Sequence, residues 1–228
     1  MNKITDHILC KVEKPARYVG GELNEIIKNP EEVDIRFAFC FPDVYEVGMS
    51  HLGTRILYHT INERKDTYCE RVFAPWPDME EQLRKNNISL CTLETKTPLK
   101  EFDILGFTLQ YEMSYTNILN MLDMSGVTIR AEERGEDEPL VMAGGPCAYN
   151  PEPLVGIVDF FEIGEGEEMM DDVLGVYAKY KKGKWDKKAF LREISKIGGI
   201  YVPSLYDVEY NEDGTIKSFK PKYDDVPA

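Results

Sequence analysis

Four short turns carry the residues best suited to hold a ligand. Asp43-Val44-Tyr45-Glu46-Val47-Gly48 follows the apolar run DIRFAFCF, and Thr108-Leu109-Gln110 closes the run FDILGFTL. Gly144-Gly145-Pro146 closes PLVMAGG, and Glu165-Gly166-Glu167 follows IVDFFEIG. Glycines let a ligand approach the backbone without a side-chain clash, and the hydroxyl, amide and carboxyl groups between them supply hydrogen bonds. Acids in the first turn suit a phosphate poorly, because phosphate cradles are built from Ser, Thr and Gly backbone nests. Three further groups stand near these turns. His51 is read as a solvated or packed histidine of a first helical turn, Cys147 as a small buried hydrophobe and Trp76, between Pro75 and Pro77, as a packing residue.

Metal chemistry finds little support. The five cysteines (Cys10, Cys40, Cys69, Cys91, Cys147) are dispersed, with no CxxC and no CxxxCxxC of the kind that binds a four-iron cluster. An odd, scattered set reads as reduced thiols in a cytoplasmic chain.

The elements that must position the turns are legible from periodicity. The apolar runs at 34–41, 102–109, 139–145 and 157–164, with TYCERVFAP, are strands buried on both faces. Amphipathic segments separate them: GMSHLGTRILYHTINER, PDMEEQLRKNN, SYTNILNMLDMSG and EEMMDDVLGVYAKYKKGK. Ser114 is a candidate N-cap and Gly126 a candidate stop. Smaller expectations are a helix over 22–28 and an edge strand in ISLCTLET. Strand-helix alternation of this kind gives an α/β, doubly wound, mainly parallel, flavodoxin-like (Rossmann-like) sheet. In such a sheet all four turns fall on the carboxyl edge, where ligands bind. The predicted organisation is an N-terminal extension (1–33), the α/β domain (34–183), and a helix plus a short C-terminal β-hairpin turning at Asp213-Gly214 (184–228). The closing DDVPA reads as a linker toward a further domain, so that the chain is a fragment.

Composition narrows the partners. With 43% hydrophobic and 30% charged residues the chain can bury a sizeable core. Its net charge of −14 repels phosphate backbones, so no direct nucleic-acid binding is expected. No run has the length of a membrane span, so no membrane partner is expected and the location is read as cytoplasmic.

The combination AGGPCAYNPEPL…VDFFEIGEGEE resembles the end of the cobalamin-binding domain that precedes the catalytic domain in many radical SAM enzymes. KPARYVGGELNEIIK, FPDVYEVGMSHLG, RVFAPWPDME and GFTLQYEMSYTNILNML look like a subgroup of uncharacterised radical SAM proteins with such a domain, and YVPSLYDVEY is similar to the segment leading to their barrel. The resemblance implies a domain that cradles cobalamin, its nucleotide tail between the first and third strands. The implied binding residues are Asp43, Tyr45, Glu46, Gly48, Thr108, Gln110, Gly144, Gly145, Pro146, Glu165, Gly166 and Glu167. Where the family's DxHxxG motif has a cobalt-ligating His, this chain has Tyr45. A phenol of pKa about 10 ligates cobalt poorly, so the implied mode is base-off. The four-iron four-sulfur cluster, S-adenosylmethionine and the catalytic step then belong to the downstream radical SAM barrel, which is the implied partner, and no residue pattern names its substrate. The alternatives are a domain that binds no cobalamin and shapes the substrate site beside the barrel, a degenerate flavodoxin-like domain binding FMN or another nucleotide, and a partner-interaction module. A receiver-like domain is disfavoured, since no acidic pair follows the first strand.

Overall fold

The computed structural model of the chain describes residues 4–227. Strands β1 (Ile35–Phe41), β2 (Thr67–Phe73), β3 (Ile104–Thr108), β4 (Leu140–Gly144) and β5 (Phe160–Glu162) are parallel, and β6 (Ile200–Tyr201) joins antiparallel at the edge. Their order is β2-β1-β3-β4-β5-β6, the flavodoxin-like order closed by one reversed strand. Helices follow in the sequence α1 (Asp6–Leu9), α2 (Tyr45–Ser50), α3 (Leu52–Glu63), α4 (Pro77–Lys85), α5 (Tyr115–Ser125), α6 (Gly166–Lys182) and α7 (Lys187–Ile194). A separate two-stranded hairpin, β7 (Tyr206–Tyr210) and β8 (Ile216–Pro221), turns through Gly214 at φ 82°.

Both sheet faces are covered, which is why the strands read as unbroken apolar runs. On one face Ala38, Leu105, Val141 and Phe161 pack with Met79 and Leu83 of α4 and Ile118, Met121 and Leu122 of α5. On the other, Phe37, Ile104, Met142 and Phe160 pack with Ile61 of α3, Met170 and Val173 of α6 and Phe190 of α7. The 184–228 stretch thus adds α7 and β6 to the main body and leaves the hairpin outside its sheet, although Val226 of the closing DDVPA returns to this second core.

Four local expectations change. Residues 22–28 form no helix, because the segment is tied across α3: Ile26 N donates to Tyr58 Oη (2.8 Å), and Lys28 Nζ donates to the carbonyls of Asn62, Arg64 and Thr67 (2.7, 2.7 and 2.6 Å). Lys28 therefore caps the end of α3, where a cation is favoured. ISLCTLET is an irregular loop carrying an isolated bridge from Cys91 to Pro98. It covers the β2 edge: Leu93 N donates to the Arg71 carbonyl (2.7 Å), the Glu94 carboxylate accepts from Arg71 Nε and Arg71 N (both 2.7 Å), and Glu70 Oε2 accepts from Thr92 Oγ1 (2.8 Å) and Thr95 N (3.0 Å). The amphipathic segment after β1 breaks into α2 and α3 at His51, which is extended (ψ 120°) and accepts the Thr54 amide at Nδ1 (3.1 Å). Ser114 does not cap α5; its hydroxyl donates to the Tyr111 carbonyl (2.8 Å), closing the preceding turn. Gly126 does end that helix, at φ 65°.

Gly106 in β3 lets the fully buried Phe37 ring lie flat against the strand: a Cβ there would stand 2.4 Å from Phe37 Cζ. Gly106→Ala is expected to destabilise the chain by about 1–3 kcal/mol, the usual effect of overpacking a filled core. The urea midpoint should fall with the slope unchanged.

Candidate functional site

The face shared with α3 and α6 loses its side chains toward the carboxyl edge. Register places Phe39 beside Gly106 and Thr108 beside Gly144. Gly106 and Gly144 contribute no side chain, so a slot of about 200 Å³ opens over β3 and β4. His51, Gly53 and Leu57 of the α3 start form one wall, and Gly166, Glu167 and Met170 of the α6 start form the other. Phe37, Phe39 and Met142 make an apolar floor. Gly145 turns the chain at φ 100°, where a Cβ would stand 3.1 Å from the Leu109 carbonyl oxygen, so glycine is required at that corner.

Glu162 ends β5 beside Gly144, where a Cβ at Gly144 would stand 3.5 Å from the Glu162 Cβ. The residue is 4% exposed, lines the slot, and finds no hydrogen-bond partner for Oε1 among the described residues. Removal from water disfavours the carboxylate and pushes the group from the ordinary glutamate value of 4.5 up to about 8. Among the described residues no Lys or Arg lines the slot, and its titratable groups are Glu162, Glu167 and His51. A wider groove, about 650 Å³, lies between the hairpin and the body. Its buried acid Asp159 is satisfied by Arg134 Nη1 (2.5 Å), Lys187 Nζ (3.0 Å) and Val141 N (2.7 Å), so it presents no waiting acid.

The sequence-predicted residues divide into two groups. Thr108, Gln110, Gly144, Gly145, Gly166 and Glu167 converge on the slot, with Gln110 Nε2 donating to Thr108 Oγ1. Glu165 adjoins them as the residue before α6, and Pro146 opens the 3-10 turn after Gly145. The loop after β1 points elsewhere. Asp43 accepts from Tyr111 Oη (2.9 Å) and Val44 N (2.7 Å), and Glu46 is paired with Lys14 and Arg17, which hold its carboxyl down to about 2. Gly48 sits under Phe73 and Phe41. Tyr45 stacks edge-on with Phe73, lines a separate small cavity and hydrogen-bonds Glu22; desolvation and that acid push its hydroxyl up to about 12. Trp76 carries the Arg17 guanidinium on its face at 5.1 Å. Cys147 is half-buried and Cys10 exposed, while Cys40 and Cys69 are buried. Among the described residues, no three His, Cys, Asp or Glu side chains gather to hold a metal ion, and no helix is long and apolar enough to cross a membrane. Glu162 and Gly106 were not among the expected site residues. The available signal was an acid two positions after Phe160, hence on the same face of the strand.

The fold and slot define a doubly wound α/β domain with a ligand-sized opening at the switch point of its strand order. Residues 53–203 match the family described as radical SAM proteins, N-terminal, and the chain belongs to that family. It is 25% identical over 168 residues to the uncharacterized protein MJ0966 of Methanocaldococcus jannaschii, an alignment that covers 69% of this chain and 32% of that protein's length. No solved structure matches the chain.

The raised Glu162 value sets a sign for stability against pH. Between the unfolded value of 4.5 and the folded value of about 8, the folded chain keeps a proton that the unfolded chain releases. Stability from this group is therefore full below 4.5 and falls as pH rises toward 8, by on the order of 4 kcal/mol. Glu162→Gln should remove that slope. Urea unfolding at pH 5 and pH 8.5 is expected to show the variant gaining several kcal/mol relative to the parent at the higher pH.

Proposed function

We propose that the chain is the N-terminal module of a radical SAM enzyme and holds cobalamin base-off on its carboxyl edge, with the nucleotide tail's ring system in the slot. The observation that carries this reading is the slot itself, an opening over β3 and β4 floored by Phe37 and Phe39 of β1 and walled by Thr108, Gln110, Gly144, Gly145, Gly166 and Glu167. A dry cavity of about 150 Å³ accepts one benzene ring. A volume of about 200 Å³ therefore accommodates a ring system and not a whole corrin, which would rest over the rim. The lower-ligand chemistry fits base-off binding: Tyr45 is turned to Glu22, and His51 Nδ1 is committed to the start of α3. Bound cobalamin would supply methyl-group transfer chemistry at cobalt. This chain's residues would seat the tail, exclude water from it and orient the corrin.

The partner in this reading is the downstream radical SAM barrel, which carries the iron–sulfur cluster and S-adenosylmethionine. Tyr111, Met113 and Tyr149, in the loops that follow β3 and β4 and so on the carboxyl edge, are 42%, 84% and 75% exposed, apolar surface suited to a covering domain. The dianionic phosphomonoester of FMN is less suited than the singly charged phosphodiester of a cobalamin tail, because the slot lining offers acids and, among the described residues, no Lys or Arg.

The test is retention of hydroxocobalamin after gel filtration, read by visible spectrum and by EPR of the Co(II) form. Base-off spectra without nitrogen superhyperfine splitting are expected, unchanged in His51→Ala. Gly144→Leu, which fills the slot, should cut retention at least about tenfold. Nitrogen splitting that disappears in His51→Ala would make His51 the lower ligand, and no retention would refute the cobalamin reading.

A further inference from the structure

We infer that the Glu162 carboxyl is the specificity-determining group of the slot, hydrogen-bonding a ring nitrogen of a flat, uncharged heteroaromatic base. The inference rests on the reading that this slot takes a ligand, and it adds which chemical class is admitted and which residue selects it.

Three observations converge. The slot volume, about 200 Å³, and its floor of Phe37, Phe39 and Met142 suit an aromatic plane. Its lining holds acids and no Lys or Arg, which rejects anionic groups. The end wall carries a carboxyl that is 4% exposed, its Oε1 sealed without a partner among the described residues and its Oε2 on the slot side, 3.8 Å from where a Gly144 Cβ and 3.9 Å from where a Gly166 Cβ would stand. Buried polar atoms are ordinarily satisfied, and one left open at a cavity is matched by what enters the cavity. Glu162 has no cation near enough to settle its charge, so burial keeps it protonated to about pH 8. A protonated carboxyl has one O–H to donate, and the matching acceptor on a flat base is an unprotonated ring nitrogen. A ligand with only C–H there would leave the acid unsatisfied, and sites built to make a hydrogen bond reject analogues that cannot make it.

Two probes of equal shape isolate the effect. 1-Methylbenzimidazole and 1-methylindole differ by a ring nitrogen in place of C–H. In ligand-observed NMR titrations at pH 6.5 the parent chain is expected to bind the benzimidazole about tenfold tighter, the size of one hydrogen bond. The preference should vanish in Glu162→Leu and survive in Glu162→Gln, whose amide still donates. Raising the pH to 9 should abolish it in the parent and leave it intact in Glu162→Gln, a readout that also holds should the Leu variant not fold. Equal affinity for the two probes, or a preference indifferent to Glu162→Leu or to pH, overturns the inference. Hydroxocobalamin, riboflavin and adenosine then separate the sources of such a base: retention that drops about tenfold in Glu162→Leu supports the inference for that ligand. A benzimidazole preference with no cobalamin retained supports the inference and refutes the cobalamin reading. Cobalamin held equally by the parent and Glu162→Leu does the reverse.

Discussion

The position of β1 between β2 and β3 governs the rest of the molecule. The chain leaves β1 toward one edge of the sheet and returns from β2 to the other side of β1. Right-handed crossovers then send α3 over one face and α4 over the opposite face. The α3 face is completed only when α6 arrives from β5, three strands later. The two helix starts flank a gap over β3 and β4 that neither fills; Gly144 leaves that gap open and Gly106 admits the Phe37 ring that floors it. The slot is therefore a product of strand order, with glycine placed where a side chain would close it.

Two acids on one short stretch show how differently the two ends of the sheet are treated. Asp159, just before β5, is locked by Arg134, Lys187 and the Val141 amide, joining β4, β5 and α7. Removing any one of those partners would leave a buried charge uncompensated, so the set acts as a unit. Glu162, three residues on, is as deeply buried and left open. Its unmet hydrogen bond costs stability, and it stands on the lining of the slot at the carboxyl edge. The family membership and the apolar surface of Tyr111, Met113 and Tyr149 are consistent with that edge facing a larger assembly.

The strands and the main helices were legible because a two-sided buried sheet writes itself as short apolar runs, and each covering helix as a 3.6-residue stripe. The gathering of Thr108, Gln110, Gly144, Gly145, Gly166 and Glu167 followed from knowing which ends of the strands they close. What escaped depended on long-range partners. Residues 22–28 have helical composition, yet Tyr58 and the end of α3 claim their hydrogen bonds. ISLCTLET has strand composition, yet the Arg71–Glu94 and Glu70–Thr95 contacts hold it as a loop. Tyr45 stands where the resemblance implies a ligand position, but Glu22 and Phe73, distant in sequence, engage it. Glu162 was hidden inside an apolar run, and its lack of a partner is a property of three-dimensional surroundings that no local pattern encodes.

The proposed ligand enters between α3 and α6, where the methionines report on it directly. Met142 and Met170 line the slot, while Met121 and Met124 belong to the core on the opposite face of the sheet. With methyl-labelled methionine, addition of hydroxocobalamin followed by two-dimensional methyl NMR should shift Met142 and Met170 and leave Met121 and Met124 in place. Unmoved Met142 and Met170 signals, or shifts confined to the opposite face, would contradict the account.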